Sequence, residues 1–297
     1  RSRAGTPATL HLVETASRRS RTVLEPPCPQ LAEYGFSAPE FFTLRSPGGQ
    51  ALHAVLYKPR GFTEGRRYPV VVEVYGGPWA QVVQDRWSRR DAPLTPLFTQ
   101  AGFVYASVDG RGSGRRGRAF EAALLEQLGK AELEDQLAGL EALKKLPFVD
   151  GGRVGIWGWS YGGFMALYAL THSSAYRCGA AVAPVADWLS YDTCYTERYL
   201  KLPAENAEGY RASSPLNAAA GLSAPLLLAH GRMSDNVHFT NSARMTQALT
   251  QSRKPIETAF YPKNDHGIRG DGARADLFAR LLGFFERHLS ASAGAAP

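Results

Sequence analysis

The sequence predicts an α/β chain whose mostly parallel sheet is covered by helices on both faces. Three observations predict it. From about Phe41 onward, short apolar runs of strand length alternate with segments of helical period. Near the middle, one such run passes through a glycine-rich turn directly into a helical segment. Finally, 297 residues with 44% hydrophobic composition suffice for one large buried core.

Taken in order, residues 8–13 and 21–24 are apolar-rich runs joined by the turn-like Ala16-Ser17-Arg18-Arg19, which predicts a hairpin. Two strands alone bury too little to stand as a domain. Residues 24–35 are rich in proline and predict a linker. Strands are expected at 51–57, 69–75, 103–108, 153–157, 179–183, 225–229 and 256–261. Helical period shows in Glu132, Leu133, Gln136, Leu137, Leu140 and Leu143, and again over 161–172, 241–251 and 273–289. The last segment carries Leu277, Phe278, Leu281, Leu282, Phe284 and Phe285, a stripe that would serve a core or a partner subunit equally well. Residues 291–297, rich in alanine, are expected to be a disordered tail.

Composition excludes several function classes. The net charge of +7 comes from basic residues scattered through loops, as in Arg18-Arg19, Arg66-Arg67, Arg89-Arg90 and Arg115-Arg116, so no nucleic-acid partner is expected. Cys28, Cys178 and Cys194 lie far apart, forming neither a disulfide framework nor a C-x-x-C metal pattern. No run of about 18 apolar residues is present, and the first residues lack the apolar core of a signal peptide, so neither a membrane span nor an export signal is expected here.

The most informative stretch is Val154-Gly155-Ile156-Trp157-Gly158-Trp159-Ser160-Tyr161-Gly162-Gly163. A buried strand runs into G-x-S-x-G and then into a helix, which is the context of a nucleophile elbow and of the α/β-hydrolase fold. Ser160 is the candidate nucleophile. A serine hydroxyl needs an adjacent base, and in this fold acid and histidine follow the serine in that order. Of seven histidines, His266 fits, in a loop between the last strand and the last helix. His230 ends the preceding strand and reads as structural. The acid is expected after residues 226–229, where the chain reads His230-Gly231-Arg232-Met233-Ser234-Asp235-Asn236-Val237, and by spacing Asp235 is the candidate.

From about residue 35 to 289 the chain resembles the dipeptidyl peptidase IV branch of the prolyl oligopeptidase family. The resemblance is carried by Val74-Tyr75-Gly76-Gly77-Pro78, Asp109-Gly110-Arg111-Gly112-Ser113-Gly114, Glu134-Asp135-Gln136, Gly158-Trp159-Ser160-Tyr161-Gly162-Gly163 and Asp265-His266-Gly267, and above all by Tyr191-Asp192-Thr193-Cys194-Tyr195-Thr196-Glu197-Arg198-Tyr199-Leu200. It implies a serine peptidase that removes dipeptides after proline or alanine through an acyl-serine intermediate, with no cofactor. It further implies an oxyanion hole of the Tyr75 hydroxyl and the Tyr161 backbone N–H. A small pocket for proline or alanine would be lined by Tyr161, Val185, Trp188, Tyr191, Tyr195 and Val237, with Asn236 binding the substrate carbonyl. By the same resemblance, residues 1–34 are the end of a preceding β-propeller domain and its linker, the hairpin being a remnant of its last blade. Residues 35–290 are then the catalytic domain. The propeller, which clamps the free amine of the peptide substrate in this family, is absent from these 297 residues, and a homodimer is expected through the last helix.

One departure matters. In the family the triad aspartate is the fourth residue after the histidine of His-Gly, and here that residue is Ser234. Asp235 lies one step along, so it can orient the imidazole only if the loop bends differently. Two alternatives therefore stay open: a carboxylesterase or acylaminoacyl peptidase of the same fold, and a catalytically silent interaction protein on this scaffold.

Overall fold

The structure, a computed structural model, describes residues 1–25, 27–28, 33–87 and 94–290. The segment expected as a disordered tail lies outside the described residues, as do residues 26 and 29–32 of the expected linker. The N-terminal hairpin forms as β1 (Leu10–Val13) and β2 (Ser20–Leu24), an antiparallel pair separate from the main sheet. Its Leu10, Leu12, Val23 and Leu24 side chains are exposed.

Among the described residues the main sheet has eight strands: β3 (Pro39–Arg45), β4 (Ala51–Tyr57), β5 (Tyr68–Glu73), β6 (Val104–Asp109), β7 (Val149–Trp159), β8 (Cys178–Val182), β9 (Leu226–Gly231) and β10 (Glu257–Tyr261). Their spatial order is β10-β9-β8-β7-β5-β6-β4-β3. Only β4 runs against its neighbours, pairing antiparallel with both β3 and β6, while the remaining pairs are parallel. Strand β3 was not expected: an edge strand with one face open carries Glu40, Thr43 and Arg45 between its apolar residues and lacks the continuous apolar run of a buried strand.

The α-helices that lie wholly within the described residues are α1 (Leu94–Gln100), α2 (Arg118–Glu121), α3 (Lys130–Lys144), α4 (Tyr161–His172), α5 (Thr193–Leu200), α6 (Ala207–Ala212), α7 (Thr240–Gln251) and α8 (Ala273–Leu289). Strand alternation divides the core between the sheet's two faces. Val70, Val72, Val154 and Ile156 join Phe164 and Leu167 of α4, Leu140 and Leu143 of α3, and Met245 of α7. Their sequence neighbours Val71 and Trp157 join Phe98 of α1 and Leu277, Leu281, Phe284 and Phe285 of α8 on the other face. Each fully buried Leu or Phe contributes about 1.5–3 kcal/mol. The chain's own core thus accounts for Leu277, Leu281, Phe284 and Phe285 of the α8 stripe, while Phe278 and Leu282 are partly buried.

This layout places the C-terminal ends of β5, β7, β8, β9 and β10 along one edge, where loops converge beyond a parallel sheet.

Candidate active site

Ser160 stands between β7 and α4 with φ 62° and ψ −120°, in the left-handed range that a non-glycine residue enters only when its surroundings enforce it. Two contacts enforce it. The Ser160 N–H donates to Val182 O of the neighbouring strand at 2.8 Å, and Ser160 O accepts from Phe164 N in the first turn of α4. The flanking glycines are required by close approach: a Cβ on Gly158 would lie 2.3 Å from Gly162 O, and one on Gly162 would lie 2.2 Å from Val74 O. The turn lifts the hydroxyl to the start of α4, whose first N–H groups have no partner within the helix.

His266 is held beside this elbow through the residue that precedes the serine. Trp159 Nε1 donates to His266 O at 3.0 Å. The Arg274 guanidinium lies 5.2 Å from the Trp159 ring centroid and donates to Gly267 O, fixing the next peptide of the same loop. Neither Trp159 nor Arg274 stood out as a contributor in the sequence. No local pattern marks either one, because each acts through contacts with residues remote in sequence or on the far side of a loop.

The loop after β9 is tied to the histidine loop by Arg232 N donating to Tyr261 O at 2.9 Å and Met233 N donating to Asn264 O at 3.0 Å. Ser234 N then turns back to Gly231 O, which puts the Ser234 side chain on the inner side. Its Oγ lies 3.3 Å from His266 Nδ1, and the residue is only 5% exposed. The expectation that Asp235 meets the imidazole is therefore corrected: Asp235 is exposed, and among the described residues no hydrogen bond joins it to His266. Consecutive residues of the turn face opposite ways, and Ser234 takes the inward place.

His230 is buried under this loop, with Nδ1 2.7 Å from Ser242 Oγ and Nε2 2.9 Å from Val237 O. Burial drives its pKa down to about 4. Protons then bind the unfolded chain in preference, so its contribution is fully present above the ordinary value of 6.5 and is lost as pH falls towards 4. Glu132 and Asp109, raised by burial to about 7 and about 6, act in the opposite sense, since their contribution is lost as pH rises through those values. Comparing the protein with His230→Gln cancels them. Urea unfolding at pH 7.5 and pH 4 is expected to show the difference between the two proteins shrinking by about 3 kcal/mol at the lower pH.

The remaining expected site residues are also brought together. Tyr75 follows β5 and lies against Tyr161, with ring centroids 6.3 Å apart. Trp188 sits 5.6 Å from Tyr161, 5.8 Å from Tyr191 and 6.2 Å from Tyr195, centroid to centroid. Tyr191 and Tyr195 are edge to face at 5.5 Å. Tyr191 donates its hydroxyl to Asn236 Oδ1 at 3.1 Å, joining the α5 region to the loop that carries Ser234. Val185 and Val237 are buried in the same core cluster as Tyr161 and Trp188, against which Tyr75, Tyr191 and Tyr195 pack. Asp192 caps α5 by accepting from Tyr195 N at 2.8 Å, which sets the ring positions of the Tyr191–Tyr199 tract. A cavity of about 530 Å³ lies beside this cluster, lined by Glu73, Tyr75, Trp157, Trp159 and Arg274. Its described lining includes none of Val185, Trp188, Tyr191, Tyr195 and Asn236, so it is distinct from the aromatic cluster.

Residues 91–292 match the model of the prolyl oligopeptidase family. The chain belongs to the prolyl oligopeptidase family. Within it, the chain is 36% identical over 273 residues to a probable dipeptidyl peptidase 4 of Aspergillus clavatus, covering 89% of this chain and 36% of that protein. It is 38% identical over 259 residues to dipeptidyl peptidase 8 of Homo sapiens, covering 86% of this chain and 29% of that protein. The crystal structure of Porphyromonas gingivalis dipeptidyl peptidase 4 superposes with a TM-score of 0.89 at 38% identity, covering 97% of this chain and 41% of that one. The chain thus spans about a third of the length of these curated relatives. The fold is the α/β-hydrolase fold of this family, as the order of the eight strands independently indicates.

Proposed function

We propose that this chain is the catalytic portion of a serine dipeptidyl peptidase that cleaves after proline or alanine, and that its turnover is limited by the neutral group at Ser234. The observation that carries the proposal is the serine elbow with His266 on one side and the ring cluster of Tyr161, Trp188, Tyr191 and Tyr195 on the other.

In this mechanism Ser160 Oγ attacks the carbonyl carbon and its proton passes to His266 Nε2. The carbonyl oxygen, now an anion, meets the Tyr75 hydroxyl and the Tyr161 N–H. The same imidazolium returns its proton to the leaving amine, and water repeats the sequence on the acyl-serine ester. A carboxylate at the third position would accept only from Nδ1–H, fixing the tautomer that leaves Nε2 as the base, and its charge would stabilise the imidazolium. The Ser234 hydroxyl both donates and accepts and carries no charge, so it does neither fully. At 3.3 Å its contact is also longer than the usual hydrogen bond.

The proposal extends to the portion of the longer relatives that these 297 residues do not match. A β-propeller domain preceding these residues in the full-length protein would bind the free amine of the substrate, and these 297 residues on their own should act on small acyl and peptidyl substrates with relaxed specificity. The test compares release of p-nitroaniline from Gly-Pro-p-nitroanilide with cleavage of p-nitrophenyl acetate, each beside Ser160→Ala. Slow hydrolysis of the prolyl substrate that vanishes in Ser160→Ala is expected. Rapid ester cleavage with no prolyl hydrolysis would instead assign a carboxylesterase. Ser234 also favours a second reading, a silent interaction protein on this scaffold, for which neither substrate would show turnover dependent on Ser160.

A further inference from the structure

Glu132 is a buried carboxylate that the acyl-transfer steps do not use. It occupies the third position of α3 and is 1% exposed. Its Oε2 accepts from Gly129 N at 2.8 Å, closing the N-terminus of α3, and its Oε1 accepts from the Tyr161 hydroxyl at 2.6 Å. Capping alone would be satisfied at the surface, where a carboxylate keeps its hydration. Here the helix start is instead driven against α4. Gly129 has φ 94°, and a Cβ on it would lie 2.7 Å from the Tyr168 ring, so only glycine allows the approach that brings Glu132 under Tyr161.

Nearby Asp135, equally buried, is compensated by Arg111, which donates to both of its oxygens. Among the described residues no cation pairs with Glu132, whose hydrogen-bond donors are the Tyr161 phenol and the Gly129 amide. A buried, cation-free carboxylate is costly, and both of its oxygens are committed. One of its two partners is the residue that follows the nucleophile and packs against Tyr75, Phe164 and Trp188.

We propose that Glu132 is a positioning residue for the acyl pocket: through the Tyr161 hydroxyl it fixes the ring that forms one wall, and so sets the width that admits the ring of proline or the methyl of alanine. This rests on the reading of the aromatic cluster as an acyl pocket. Glutamine is the informative replacement, because its side chain offers one acceptor oxygen and one amide nitrogen. With its oxygen accepting from Gly129 N, it turns an amide N–H towards the Tyr161 hydroxyl, which loses the acceptor of its proton.

The experiment measures by calorimetry the affinity of the unreactive mimic N-acetyl-alanyl-pyrrolidide, whose blocked amine needs no clamp outside these residues, for the protein, Glu132→Gln, Tyr161→Phe and the double variant, with the melting temperature of each. Because binding needs no turnover, slow chemistry does not obscure the result. Glu132→Gln and Tyr161→Phe are each expected to weaken binding about tenfold, the scale of one hydrogen bond to a charged group. The double variant should be no weaker than either single one, since both remove the same link. Unchanged affinity in Glu132→Gln with only a lower melting temperature, or losses that multiply in the double variant, would overturn the role of Glu132 alone. No binding by the unmodified protein would overturn the acyl-pocket reading, and the proposal with it.

Discussion

Replacing Ser234 by aspartate is expected to raise kcat for Gly-Pro-p-nitroanilide by about 100-fold or more, with KM changed only a few-fold. Loss of a triad aspartate lowers turnover by about 10⁴-fold while the oxyanion hole and substrate binding still act, which sets the upper limit of the gain. Geometry favours restoration. Ser234 already faces inward, its Oγ is 3.3 Å from His266 Nδ1, and its loop is tied to the histidine loop by two backbone hydrogen bonds. A carboxylate there stabilises the imidazolium, so the acid limb of the kcat/KM profile should also move to higher pH in Ser234→Asp. Both effects are read from p-nitroaniline release between pH 5 and 9. A variant that folds with the same melting behaviour but gains nothing would show that the limitation lies elsewhere.

Tyr75→Phe, made in the Ser234→Asp protein so that turnover is large enough to follow, is expected to lower kcat about 100- to 1,000-fold. The phenylalanine keeps the ring against Tyr161 at 6.3 Å and removes only the hydroxyl. The loss should therefore fall on kcat, since a donor aimed at the oxyanion acts only once charge develops, whereas a lost packing contact would raise KM. Steady-state kinetics on the prolyl substrate separates the two outcomes.

Much of this was legible because some residues leave the chain no choice. The glycines around Ser160 permit one sharp turn between a buried strand and a helix, and the pattern names both elements and the nucleophile at once. His266 was legible from its place between the last strand and the last helix. Strand β3 was not, because an edge strand with polar residues along it has no periodic signature. The count from His230 in the family pattern falls on Ser234, whereas loop position and residue type alone favour Asp235; one step in a turn reverses the side chain, and the bonds from Ser234 N and Met233 N decide which faces in. Trp159 and Glu132 escaped for another reason. Each acts through one contact with a residue remote in sequence, Trp159 with His266 and Glu132 with Tyr161, and no local pattern encodes such a contact.

The most direct measurement is the site and rate of labelling by a fluorophosphonate, followed by mass spectrometry of the intact protein and its peptides. A single adduct on Ser160 is expected, absent in Ser160→Ala, strongly slowed in His266→Ala and unchanged in Asp235→Asn. An adduct on another residue, or an Asp235→Asn protein slowed as much as His266→Ala, would contradict a site built from Ser160 and His266 with Ser234 in the place of the acid.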